Sequence, residues 1–172
     1  MKDSELLLIL ANILLILMAI AIVTGAVRYK RLGYCQKIIT LVCLASLLTT
    51  LIVKELWKNG VNNHLFFHIY AVVEYVLLAF LYGKAFQNKH IEMFYRLSAV
   101  VIISWGLVNA LFIQGVEVAN SYVTTPSFII WIASALFFFF RILNELRYEK
   151  MEKSALFWIN IGVLIYFSGS FV

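Results

Sequence analysis

The chain has 172 residues, 63% of them hydrophobic and only 13% charged, which leaves too little polar surface to cover a soluble globule. The net charge of +5 sits in short clusters between apolar runs, the pattern of membrane topology and not of a phosphate-binding face, so nucleic acid is excluded as a partner. One proline and the absence of any Ser/Gly-rich linker argue for a single transmembrane domain whose first partner is the lipid bilayer.

The first apolar run covers residues 6–27, with Asn12 as its one strongly polar member, and its length matches a spanning helix of about 20 residues. The leader Met1-Lys2-Asp3-Ser4-Glu5 is not basic, and the run is long for a signal peptide, so the segment reads as a retained first helix. Arg28, Lys30, Arg31 and Lys37 precede a short second run, residues 38–53. Cys35 and Cys43 lie eight positions apart here, roughly 12 Å along a helix, too far for the about 7 Å that a disulfide tolerates.

Asn59-Gly60 breaks the chain before a third run, residues 65–83, which Asn62 or Asn63 can cap. Lys84, Lys89 and Arg96 lead into the fourth run, 97–113, and a link without Lys or Arg, 114–121, follows it. The fifth run is 122–140, where Thr125-Pro126 reads as an N-cap followed by proline in the first turn. Residues 141–153 carry both signs of charge, with Leu143 and Leu146 placed to continue the helix, and the sixth run is 155–172. The fold class is therefore an all-α polytopic bundle of six spanning helices. An ending on the last turn of a span leaves two readings open, a sixth helix with no tail or six helices of an original seven.

The loops after the odd-numbered runs hold eleven Lys and Arg, against three in the N-terminus and the other loops. The positive-inside rule then puts the N-terminus outside and the basic loops in the cytoplasm, in a cell's inner (plasma) membrane. Those loops are candidates for meeting a cytoplasmic signalling partner.

Chemistry concentrates in the third run. Glu74 is ten residues from both His64 and Lys84, hence near mid-membrane, and no Lys or Arg lies within any run to pair with it. An ionised carboxylate costs roughly 2.5–3.5 kcal/mol there. The expectation is a protonated, hydrogen-bonded glutamate facing the bundle, acting either as glue between helices or as a ligand contact or proton carrier. His64 and His68 share a helical face, but Glu74 is turned about 240° from His68 and roughly 9 Å deeper, so it cannot complete a metal set with them. No tightly bound metal, haem or other cofactor is expected.

At similar depths lie Asn12, Thr49, Thr50, Asn109, Ser127 and Ser168, while Trp105 and Trp131 sit near mid-membrane with indole N–H groups that need acceptors. The sharpest hypothesis is an outward-opening polar pocket floored by Glu74, drawing on Tyr70, His64, His68, Asn12, Asn109, Trp105 and Trp131. Its rival is a set of unrelated helix contacts. No Gly-rich phosphate loop, GxSxG or HExxH is present, so no catalytic residue is assigned.

Two stretches carry a likeness. Asn62, Asn63, Leu65, His68, Ile69, Tyr70, Glu74 and Tyr75, together with residues 156–160 and 164–169, resemble a group of uncharacterised bacterial multi-pass membrane proteins, often encoded near sensor histidine kinases. The resemblance implies membrane residence and a signalling neighbourhood, with no activity to carry over. Members continue to a further helix. The leading expectation is a non-enzymatic sensory or ligand-binding membrane module, ahead of a small proton-coupled transporter using Glu74 and an intramembrane metal-dependent enzyme.

Overall fold

The computed structural model describes residues 2–144 and 154–171. Among these, six α-helices follow one another and no strand occurs: α1 (Lys2–Val27), α2 (Tyr34–Lys58), α3 (His64–Ala85), α4 (Lys89–Val108), α5 (Ser121–Asn144) and α6 (Ala155–Phe171). A 3-10 turn, Tyr29–Arg31, joins α1 to α2, and a π-helical turn, Asn109–Ile113, extends α4. Four helices are long and apolar enough to cross a membrane: α2, α3, α5, and α4 with its π turn. The apolar parts of the other two, Asn12–Val27 and Ala155–Ser170, are shorter.

α3 is the axis. It packs against α2 on one side and α4 on the other and also touches α5, while α1 leans on α2 and α6 on α5. Its buried face, His68, Ala71, Glu74, Tyr75, Leu78, Ala79, Leu81 and Tyr82, is wider than the stripe a surface helix buries. The core beside it is aromatic. Trp131 stacks on Tyr82 at 5.6 Å and an 11° interplanar angle, and sits 4.6 Å from Tyr75, while Phe86 and Tyr95 extend the stack. Large apolar side chains point outward all round, among them Val27, Phe112 and Ile165. A water-soluble domain would not tolerate that much exposed hydrocarbon.

Helix ends are settled by local chemistry. Asn62 Oδ1 accepts from the His64 N–H at 2.9 Å, and Asn88 Oδ1 accepts from the N–H groups of His90 and Ile91 at 2.9 and 3.4 Å. Gly60 takes φ +70° in the turn after α2, where a side chain would be strained. At the opposite end, Lys84 pairs with Glu92 at 2.8 Å, Arg96 pairs with the same carboxylate, and Arg141 donates to the Phe86 carbonyl oxygen.

α2 extends past the short apolar window 38–53 at both ends, as a run too short to span by itself requires, with Tyr34–Lys37 and Lys54–Lys58 completing the helix. One expectation about elements needs correction. α5 starts at Ser121, so Pro126 stands inside the helix and not in its first turn. Proline has no N–H to give the carbonyl four residues back, that of Tyr122. The Trp105 indole N–H takes that acceptor at 3.1 Å, which explains how a proline is accommodated there. The expected continuation of α5 through Leu146 lies outside the described residues. Cys35 and Cys43 both stand on α2 as free thiols.

Close helix approach depends on small residues. A Cβ placed on buried Gly25 of α1 would stand 2.5 Å from Thr40 Cγ2 and 2.6 Å from its Oγ1 on α2. Gly25→Ala should therefore destabilise the α1–α2 contact by about 1–3 kcal/mol, seen as a lower melting temperature in detergent. Thr40→Ala in the same chain should restore most of the loss. An unchanged melt in the Gly25→Ala protein would refute the tight approach.

Candidate functional site

The residues read together from sequence separate into two places. The first is a polar plug at the end of the bundle where the α2–α3 and α4–α5 connections meet, joined by Asn62 Nδ2 donating to the Glu117 carbonyl oxygen at 3.2 Å. Fully buried Asn109 opens the π turn. Its Nδ2 donates to Gln114 Oε1 and to Asn120 Oδ1, both at 2.9 Å. Gln114 Nε2 in turn donates to Ser121 Oγ. His68 Nε2 lies 3.0 Å from the Val118 carbonyl oxygen, which can only accept, so the Nε2–H donates there. His64 stands half-buried at the N-terminus of α3, and nothing brings it into the His68 contact. His68 Nδ1, Asn109 Oδ1 and Asn120 Nδ2 have no protein partner.

The second place is a cleft of about 470 Å³ between α1 and α6, floored by α2 and α3. Glu74 and Tyr70, one turn apart on α3, face it together, and the Tyr70 hydroxyl donates to Glu74 Oε1 at 2.7 Å. Tyr166 of α6 and Ser46 of α2 line the same cleft and add two more hydroxyls beside this pair. Glu74 is only 6% exposed. The remaining walls are apolar, including Met18, Val42, Leu78, Val163 and Phe167. Among the described residues no Lys, Arg or His lines the cleft.

The other candidates lie elsewhere. Trp131 is sealed in the aromatic core, and Trp105, 41% exposed, is tied to Tyr122. Asn12 and Ser168 are exposed, Thr49 is half-buried away from the cleft, and Thr50 and Ser127 bond back to the carbonyl oxygens of Ser46 and Val123 in their own helices. Ser46 and Tyr166 were missed from sequence, although a tyrosine midway along an apolar helix is the signal that could have found the latter. Among the described residues no three His, Cys, Asp or Glu side chains come together in a metal-holding group.

A carboxyl held by hydroxyls in an apolar cleft can accept and donate hydrogen bonds, or carry a charge when a counter-charge is supplied. The architecture, largely apolar with a few convergent polar groups, and the volume both suit a small-molecule site. Compared with family models, curated proteins and solved structures, the chain matches none of them.

Proposed function

We propose that this chain is a multi-pass integral membrane protein of the inner (plasma) membrane that works as a non-enzymatic sensory or ligand-binding module. α1 and α6 complete six spans, with the N-terminus outside. The observation that carries this reading is the cleft beside Glu74 and Tyr70, a cavity of ligand size with this hydrogen-bonded pair set among largely apolar walls. The likeness to bacterial proteins encoded near sensor kinases agrees with it, and the basic loops are the surface that would meet a cytoplasmic partner.

Gly162 provides the test. It lines the cleft, and a Cβ added there meets nothing within 4 Å, so Gly162→Phe is the substitution chosen to obstruct the cavity. Membrane-soluble neutral, cationic and anionic amphiphiles are screened by thermal shift on the purified protein. At least one class should raise the melting temperature of the wild type and not of Gly162→Phe. If no class separates the two proteins, the ligand-binding reading fails.

A second reading, proton-coupled carriage, stands on the same buried carboxyl and its lack of a basic partner. In sealed vesicles a carrier moves its ligand under an imposed pH gradient, whereas a sensor only binds it.

Orientation has its own test. With Cys35 and Cys43 replaced, single cysteines at Asn59 and Glu117, both exposed, should react with an impermeant reagent from outside intact cells, and one at Lys89 should not. Asn120 is a poor reporter because it is buried. Labelling at Lys89 with protection at Asn59 would invert the topology.

A further inference from the structure

We propose that the Glu74 cleft binds a hydrophobic organic cation, which displaces the carboxyl proton as it enters. The inference rests on the ligand-binding reading above and adds the chemical class of the ligand.

Among the described residues the cleft supplies one carboxyl, which can hold full negative charge, and no side chain that can hold positive charge. The other titratable groups lining the cleft with Glu74, among the described residues, are Cys43 of α2, Tyr70 of α3 and Tyr166 of α6, and α1 contributes Met18. All three are neutral when protonated. The hydroxyls of Tyr70 and Tyr166 can donate to a carboxylate without neutralising it. Among the described residues an ionised Glu74 therefore lacks a counter-ion, and at 6% exposure a bare charge there is costly.

That arrangement selects among ligands by charge. An anionic head, a fatty acid or a phosphate, would meet a carboxyl and no cation. A cation with an apolar body finds its counter-charge, apolar walls, and four aromatic residues, Tyr70, Trp158, Tyr166 and Phe167, lining the same volume. Aromatic rings around a cationic centre add attraction that grows as water is excluded. The exchange balances: the Glu74 O–H bond breaks, the proton passes to water, and the ligand cation takes its place beside the carboxylate.

The probe is tetraphenylphosphonium, whose charge is independent of pH. Binding to the full chain in detergent is measured by calorimetry at several pH values, in two buffers of different protonation enthalpy. Wild type should release about one proton per cation bound, with affinity rising about tenfold per pH unit while Glu74 is protonated when empty. Glu74→Asp should retain the pH dependence at lower affinity. Glu74→Gln should lose about tenfold to a hundredfold in affinity and all proton release. Gly162→Phe should lose binding with Glu74 intact.

If the Gln protein does not fold, the wild-type proton release together with Asp and Gly162→Phe decides. Equal binding by wild type and Gln, binding without proton release, or no binding by a folded wild type would each overturn the proposal. Stabilisation of wild type by a neutral long-chain alcohol, lost in Gly162→Phe and unmatched by the cation, would overturn the cation class while leaving the ligand-binding reading standing.

Discussion

Trp131→Ala should be the most damaging truncation in the bundle core, at about 3–5 kcal/mol by the scale of large-to-small aromatic changes. The indole is fully buried and lies within ring-contact range of Tyr75, Tyr82 and Tyr95 at 4.6, 5.6 and 6.1 Å. In a membrane the loss comes chiefly from dispersion contacts, because lipid tails solvate an apolar side chain as well as a protein core does. A cavity at that position removes partners from three rings at once, and Tyr82 also donates to buried Asn160 at 2.8 Å, linking α3 to α6. The damage should therefore spread from α5 to both neighbours. Trp131→Phe keeps a ring in the stack and should recover more than half of the loss. Trp57→Ala, on a side chain 75% exposed, is the control and should stay within about 0.5 kcal/mol of wild type. Unfolding midpoints in mixed detergent micelles measure all three, and a Trp131→Ala midpoint equal to that of Trp57→Ala would show that the aromatic stack does not hold the bundle.

The contrast between Trp131 and Glu74 shows what a sequence of this kind reveals. Depth along a helix follows from counting at about 1.5 Å per residue, and on that scale Glu74, Trp105 and Trp131 belong together. Azimuth is different, because it depends on which helices become neighbours. α3 turns Glu74 and Tyr70 toward α2 and α6, and Tyr75 and Tyr82 toward α4 and α5, so residues at one depth end in separate compartments. The opposed faces of His68 and Glu74 were legible, since six residues on one helix fix the angle between them. Where His68 finds its acceptor was not, because Val118 belongs to an irregular connection fifty residues away. The same limit applies to Pro126. Its place in a second turn became intelligible only with Trp105 beside the freed carbonyl. The existence of six helices came from hydropathy runs, which mark apolar stretches well and helix ends poorly. For α2 the shortness of the run, 38–53, itself signalled that the helix extends at both ends.

Glu74→Lys should prevent accumulation of folded protein, whereas Glu74→Gln should be nearly silent for stability. Gln keeps the size of the side chain and leaves an amide oxygen for the Tyr70 hydroxyl, now 2.7 Å from Oε1. Interhelical hydrogen bonds of this kind average about 0.6 kcal/mol in membranes, which bounds the loss. Leu removes the acceptor of the Tyr70 hydroxyl, at a cost of about 1–3 kcal/mol. Lys is worse on two counts. Its ammonium would enter a cleft with no acidic partner once Glu74 is gone, at roughly 2.5–3.5 kcal/mol for a charge at mid-helix. It also presents donors to a tyrosine hydroxyl that now donates. The expected order of melting temperature is wild type close to Gln, then Leu, then Lys, with Lys giving little monodisperse protein on size exclusion. A Lys variant that inserts and melts with wild type would mean that residue 74 faces water or lipid headgroups, and the central cleft would then have to be abandoned as a site.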